Sequence, residues 1–163
     1  MRTRLFFMLA FSFLVLAACN KSSNSGNCNF TPTTAVAPAA EIAVLKAVLD
    51  ASYTQHPSGI FYKITTPGAG ITAEVCSDVT VKYLGSLING TPFDSSYQRS
   101  PNGATFTLGQ LILGWQIGIP LIKKGGSIIL YIPPSLGYGA SGGGAAIPPN
   151  SNLVFTIDLV NVQ

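Results

Sequence analysis

Polar and apolar residues alternate from residue 78 to residue 83, with Asp78, Thr80 and Lys82 set against Val79, Val81 and Tyr83. A period of two is the mark of a strand with one buried face. The pattern returns twice near the C-terminus. Ile128, Leu130 and Ile132 share one face of a segment that stops at Pro133-Pro134. Leu153, Phe155, Ile157 and Leu159 share one face of another, with Asp158 on the opposite side. Shorter runs at 60–64 and 105–108 read as further strands, and Asn89-Gly90 is a tight-turn signal. The period changes over residues 39–50, where Ile42, Leu45 and Leu49 fall at helical spacing with Val44 and Val48 beside them. Glu41 precedes Lys46, the order that a helix dipole favours. A short amphipathic helix is predicted, packing on its own domain or on a partner. Trp115 to Ile119 predicts a second short helix, ended by Pro120. Strands buried on one side must cover something, and the Trp115 helix is the candidate. These elements predict an α+β domain of about five antiparallel strands around one helix.

Length and composition place this domain in a larger plan. A chain of 163 residues suits one domain. It starts Met-Arg-Thr-Arg and runs from Leu5 to Ala18 with only Ser12 polar, which reads as a secretory signal. The run is too short to span a bilayer, which takes ~20 apolar residues. Leu16-Ala17-Ala18-Cys19 is similar to a bacterial lipobox. That likeness implies cleavage before Cys19 and a lipid on it, and ordinary secretory cleavage is the alternative. The predicted plan is a signal at 1–18, a flexible Ser/Thr/Pro/Ala-rich tether at 19–38, a helix and connection at 39–58, and the main domain at 59–163. The product would sit in the bacterial envelope, lipid-anchored and facing the periplasm or the exterior. The formal charge is +3, of which Arg2 and Arg4 belong to the signal. A nearly neutral remainder has no nucleic-acid footprint. For Cys28 and Cys76 in an oxidising compartment a disulfide is the economical arrangement, and two unpaired thiols are the alternative.

The usual catalytic sets are missing from the sequence. His56 is the single histidine and precedes Pro57 in what reads as an exposed turn. One histidine and two spaced cysteines make no zinc set. Gly142-Gly143-Gly144 is not followed by Gly-Lys-Ser/Thr, so it is a poor phosphate loop. Asp94 has no evident second carboxylate, so glycosidase-type pairing is unsupported. No cofactor or metal is called for. What the chain offers is aromatics in separate segments: Tyr83, Phe93, Phe106, Trp115, Tyr138 and Phe155. With Asp94, and with Tyr138 held between two glycines, they suit an apolar cleft that has a few fixed polar groups.

Five segments carry a family resemblance: Val-Lys-Tyr-Leu-Gly (81–85), Gly-Thr-Pro-Phe-Asp-Ser-Ser (90–96), Leu-Gly-Gln-Leu-Ile-Leu-Gly-Trp (108–115), Gly-Tyr-Gly (137–139) and Ile-Pro-Pro-Asn-Ser-Asn-Leu-Val-Phe (147–155). In this order they resemble the FKBP-type peptidyl-prolyl isomerases over residues 59–163. The resemblance implies a five- to six-stranded twisted antiparallel sheet wrapped around one short helix, with the N-terminal helix ahead of it. It implies Trp115 as the floor under a proline ring, with Tyr83, Phe93, Phe106, Leu111, Ile112 and Phe155 as walls. Tyr138 would donate its hydroxyl to a substrate carbonyl, and the Ile112 N–H would donate to another. Asp94 would accept a hydrogen bond near the twisted amide, and Ile147 would flank the cleft. The implied clients are Pro-containing chains, bound for isomerisation or merely held. Two departures stand out. Ala104 replaces a frequent aromatic, and Gly142-Gly143-Gly144-Ala145-Ala146 lacks bulky groups. A shallower pocket, a more mobile loop and weaker binding of macrolides such as rapamycin are the expectations.

Overall fold

A computed structural model describes residues 28–97 and 99–163. The signal 1–18, the lipidation candidate Cys19 and the first part of the tether lie outside the described residues.

The described chain builds a seven-stranded sheet. Its strands are β1 (Thr54–Gln55), β2 (Phe61–Thr66), β3 (Asp78–Leu87), β4 (Pro92–Ser95), β5 (Ala104–Thr107), β6 (Ser127–Ile132) and β7 (Leu153–Val162). They pair antiparallel in the spatial order β1-β2-β6-β7-β3-β4, and β5 pairs with the first half of β3. β7 runs along β3 from Leu153 opposite Leu87 to Val162 opposite Val79, with a bulge near Thr80 and Val81. The three alternating segments of the sequence become β3, β6 and β7, and their apolar faces are buried. β1 and β4 are the strands that the pattern does not announce. β1 is two exposed residues, and β4 begins with Pro92 and has no alternating burial.

The buried face of the sheet closes on α2 (Leu113–Gly118). A Cβ on Gly114 would come within 2.6 Å of Ile132 Cδ1, so the missing side chain is what lets the helix sit this close to β6. The helix does not stop at Pro120. It passes into a 3-10 turn, Ile119–Leu121, whose opening positions need no proline N–H. Trp115 projects from α2 into the centre of the face and is 4% exposed.

The N-terminal helix α1 (Ala39–Val48) packs on its own domain. Leu45 is fully buried and Ile42 meets the edge of the core, while Val44 and Val48 face solvent. Ser135 donates both its N–H (3.0 Å) and its hydroxyl (2.8 Å) to Glu41 Oε2. Residues 28–38, the described part of the predicted tether, carry no helix or strand but lie against the domain. The Ala37 N–H donates to the Ser58 carbonyl at 2.8 Å, and Cys28 is joined to Cys76 by a disulfide with Cα atoms 5.7 Å apart.

Candidate active site

Tyr83 shares the inward face of β3 with Val79 and Val81, so the strand period aims its ring at α2. Its centroid lies 5.2 Å from that of Trp115, at 81°. Phe155 reaches Trp115 from β7 at 5.1 Å and 88°, and Phe106 reaches it from β5 at 6.4 Å and 86°. Phe93 on β4 stands edge-on to Phe155 at 5.5 Å. These edge-to-face contacts suit the ring quadrupoles and make the assembly stiff. The buried Trp115 indole N–H has no hydrogen-bond partner among the described residues. Gly85 is a condition of the arrangement. A Cβ there would come within 2.7 Å of Phe93 and 2.8 Å of Phe155.

A second wall comes from the link between the 3-10 turn Leu108–Gln110 and α2. Leu111 and Ile112 occupy it. The Gln116 side-chain amide donates to the carbonyls of Gly109 (3.1 Å) and Leu111 (2.8 Å), tying the link to the helix. The Ile112 carbonyl accepts from the Trp115 and Gln116 N–H groups, while its own N–H meets no protein acceptor among the described residues.

Tyr138 enters from the long β6–β7 connection, 39% exposed at the rim. The glycine-rich stretch after it folds into two 3-10 turns, Gly139–Ser141 and Gly144–Ala146. The Gly143 N–H donates to the Ile147 carbonyl and the Asn150 N–H to the Gly139 carbonyl, both at 2.9 Å. Gly142 has φ +66°, and a Cβ there would crowd the Pro148 carbonyl carbon at 3.0 Å. Glycine at this place allows tight doubling back over Ile147 rather than looseness alone.

The polar groups differ from expectation in one respect. Asp94 already has protein partners: the Tyr83 hydroxyl donates to Oδ2 at 2.5 Å, and Arg99 Nη2 lies 2.9 Å from Oδ1. Arg99 Nη2 also donates to the Tyr83 oxygen at 3.1 Å. Tyr83 is therefore a wall with a polar tip as well as an apolar one. Each carboxylate oxygen keeps a lone pair for a further donor. Burial, then the Asp94 hydrogen bond, push the Tyr83 phenol up to about 12. Burial, then the Asp94 charge, raise Tyr138 above the ordinary tyrosine range. Both phenols stay protonated, and Tyr138 remains a donor at any physiological pH.

All ten residues singled out from the sequence line one cleft of about 360 Å³: Tyr83, Phe93, Asp94, Phe106, Leu111, Ile112, Trp115, Tyr138, Ile147 and Phe155. Gly143 and Ala146 complete it. Arg99 and Gln116 escaped the sequence reading. A signal for Arg99 was present, since it is the only arginine beyond residue 4. Gln116 left none, because its bonds run to backbone. His56 lies outside this cleft. It is half-buried rather than exposed and accepts from the Ser58 N–H at 3.1 Å, a turn-forming role. Among the described residues, no three His, Cys, Asp or Glu side chains gather as a metal set.

Comparison with known proteins gives this cleft its context. Residues 70–160 match the family model described as FKBP-type peptidyl-prolyl cis-trans isomerase. A probable FKBP-type peptidyl-prolyl cis-trans isomerase of Haemophilus influenzae is 47% identical over 106 residues, which are 65% of this chain and 44% of that protein. The peptidyl-prolyl cis-trans isomerase Mip of Coxiella burnetii is 42% identical over 106 residues, 65% of this chain and 46% of that one. The alignments thus span less than half the length of these curated relatives. Among solved structures, FkpA from Escherichia coli superposes with a TM-score of 0.69 at 38% identity, covering 76% of this chain and 58% of that chain. A peptidyl-prolyl cis-trans isomerase from Pseudomonas syringae gives 0.67 at 33% identity, covering 76% of this chain and 89% of that chain. With the family model matched over more than half of its length, and with this fold beneath the match, the chain belongs to the FKBP-type peptidyl-prolyl cis-trans isomerase family.

Proposed function

We propose that this protein catalyses cis–trans isomerisation of X–Pro bonds in polypeptides and so assists the folding of secreted or envelope proteins. The observation that carries the reading is a cleft walled by aromatic rings that brings together the Tyr138 hydroxyl, the Ile112 N–H, unpaired among the described residues, and the Asp94 carboxylate. Rotation about a peptide bond faces ~18–20 kcal/mol, because conjugation makes the C–N bond partly double. X–Pro bonds still turn over tens to hundreds of seconds unaided. Lowering this barrier needs no proton transfer. It needs a site that binds the twisted amide more tightly than either planar form. The planar amide is the more polar, so the apolar shell around Trp115 disfavours it. The proline ring rests on Trp115 between Phe155, Phe106 and Tyr83. The Tyr138 hydroxyl and the Ile112 N–H hold the flanking carbonyls, so that rotation is confined to the prolyl bond. Asp94, oriented by Tyr83 and Arg99, supplies a fixed negative field beside the turning amide. Each ~1.4 kcal/mol of preference for the twisted form is tenfold in rate.

Exchange NMR on an Ala-Leu-Pro-Phe-type peptide with the chain from residue 19 tests this. Enhanced exchange is expected, and Tyr138→Phe and Asp94→Val are expected to reduce it roughly tenfold or more without unfolding the domain. Absence of enhancement at high protein concentration leaves a module that only holds Pro-containing chains. Unchanged rates in both variants overturn the roles given to those two side chains.

The same reading places the protein in the bacterial envelope, anchored by lipid on Cys19, on the strength of the apolar run and the Leu-Ala-Ala-Cys segment. Fatty-acid labelling that Cys19→Ser abolishes is the expected outcome, and label persisting in that variant excludes the anchor. Gly143 and Ala146 at the rim leave little side chain to grip a macrolide. Rapamycin affinity below that of human cytosolic members is expected by calorimetry.

A further inference from the structure

We propose that the N-terminal segment 28–48, which lies ahead of the matched family region 70–160, is a brace for the substrate cleft. Phe30 and Glu41 are its positioning residues. The segment touches the backbone next to two walls of the cleft, at Gly109, two residues before Leu111, and at Ser135, three residues before Tyr138. Phe30 lies against Gly109, where a Cβ would come within 2.8 Å of Phe30 Cβ and Cδ2. Gly109 does not have a positive φ, so its backbone conformation is open to other residues. What glycine provides there is room for Phe30.

The Phe30 end of the brace is held in place. Cys28 is bonded to Cys76, and the residues around Cys76 grip the same link: the Gly109 N–H donates to the Val75 carbonyl at 2.8 Å and the Leu108 N–H to the Ser77 carbonyl at 3.0 Å. Gln116 holds the Gly109 and Leu111 carbonyls from the α2 side. The backbone leading to the Ile112 N–H is therefore pinned between Phe30 outside and Gln116 inside. At the other wall, Glu41 Oε2 takes both donors of Ser135, three residues before Tyr138. Leu45, fully buried, fixes α1 so that this carboxylate stays in place. Hydrogen bonds to a substrate are effective only when their donors are already in position. One segment thus sets the position of both proposed carbonyl donors, the Ile112 N–H and the Tyr138 hydroxyl.

The catalytic part of this inference rests on the isomerase reading, so the experiment carries a second readout in the free protein. In the full chain, Phe30→Ala and the double variant Cys28→Ser/Cys76→Ser are each expected to raise KM roughly two- to tenfold, the weight of one hydrogen bond. The change in kcat is expected to stay below about twofold, because the lost contact serves ground and transition states alike. The Ile112 amide resonance is expected to move in both. Phe30→Leu is expected to restore most of the effect. Gly109→Ala is expected to raise KM in the otherwise unaltered chain and to add less on top of Phe30→Ala, where the ring contacts are gone and only the residue-30 Cβ contact at 2.8 Å remains. Glu41→Ala is expected to move the Tyr138 resonances, and Glu41→Gln, which keeps an acceptor oxygen, to spare them. A lowered thermal midpoint with KM and both sets of resonances unchanged overturns the proposal and leaves a merely structural contact. If the unaltered chain shows no turnover, the isomerase reading fails. The brace is then judged on the Ile112 and Tyr138 resonances alone, and fails with them if they do not move.

Discussion

Tyr83 shows how much one side chain can combine. Its ring is part of the apolar shell, while its hydroxyl is locked between Asp94 and Arg99. The sequence suggested the ring through the β3 period, but it had no means of showing the lock. Asp94 and Arg99 lie on the far side of a turn, and a hydrogen bond between side chains 11 residues apart depends on how β4 returns along β3. Ser96 enforces that return. It is fully buried, its Oγ accepts the Tyr83 N–H at 2.8 Å, and its N–H donates to the Tyr83 carbonyl at 3.0 Å. The lock has a consequence at high pH. The Tyr83 phenol, raised from 10.0 to about 12, keeps its proton in the folded state after the unfolded chain has lost it. The associated stability is present below pH 10 and is lost as pH rises through about 12. Urea midpoints are therefore expected to fall over that interval. Tyr83→Phe removes part of the fall, with Tyr131, also raised to about 12, retaining its share. An identical decline in Tyr83→Phe would show that this phenol is not held as described. Isomerisation itself is expected to be flat through neutral pH and to drop only where Tyr138 begins to ionise, above 10.

Elements bring these side chains together by close approach. The alternating strands were readable because burial on one face forces a period of two. β4 was not, because a four-residue edge strand that begins with proline needs no such period. The 139–146 stretch teaches a related point. It forms two tight turns over Ile147, because glycine permits many backbone courses and only the neighbouring backbone selects one. Gly142→Ala tests this. The substitution meets φ +66° with ψ −173°, the Ile147 carbonyl oxygen and the Pro148 carbonyl carbon, all backbone, so it is expected to cost about 1–3 kcal/mol or more in stability. It should also displace Ile147 and raise KM. A neutral Gly142→Ala, in melting and in kinetics alike, would falsify the tight-turn account.

For the whole molecule, the main domain and the segment that precedes it act as one packed unit. The Cys28–Cys76 bridge spans 48 residues, and chain-entropy arguments give ~4 kcal/mol for a loop of that length. Reduction is expected to lower the thermal midpoint by roughly 8–16 °C. Scans with and without reductant check this, and equal midpoints would mean that the bridge does not constrain the unfolded chain. By itself the sequence determined the alternating strands and the α+β class, and the family resemblance of its five segments implied ten of the residues that line the cleft. Those follow from local periodicity and from motifs whose residues lie close together in the chain. Only the tertiary structure decided the Tyr83–Asp94–Arg99 lock, the folding of the glycine-rich stretch and the docking of residues 28–48 against Gly109 and Ser135. Each of these is a contact between distant segments. No period or spacing encodes such contacts, because they arise only when the sheet closes around Trp115 and brings those segments within a few ångströms.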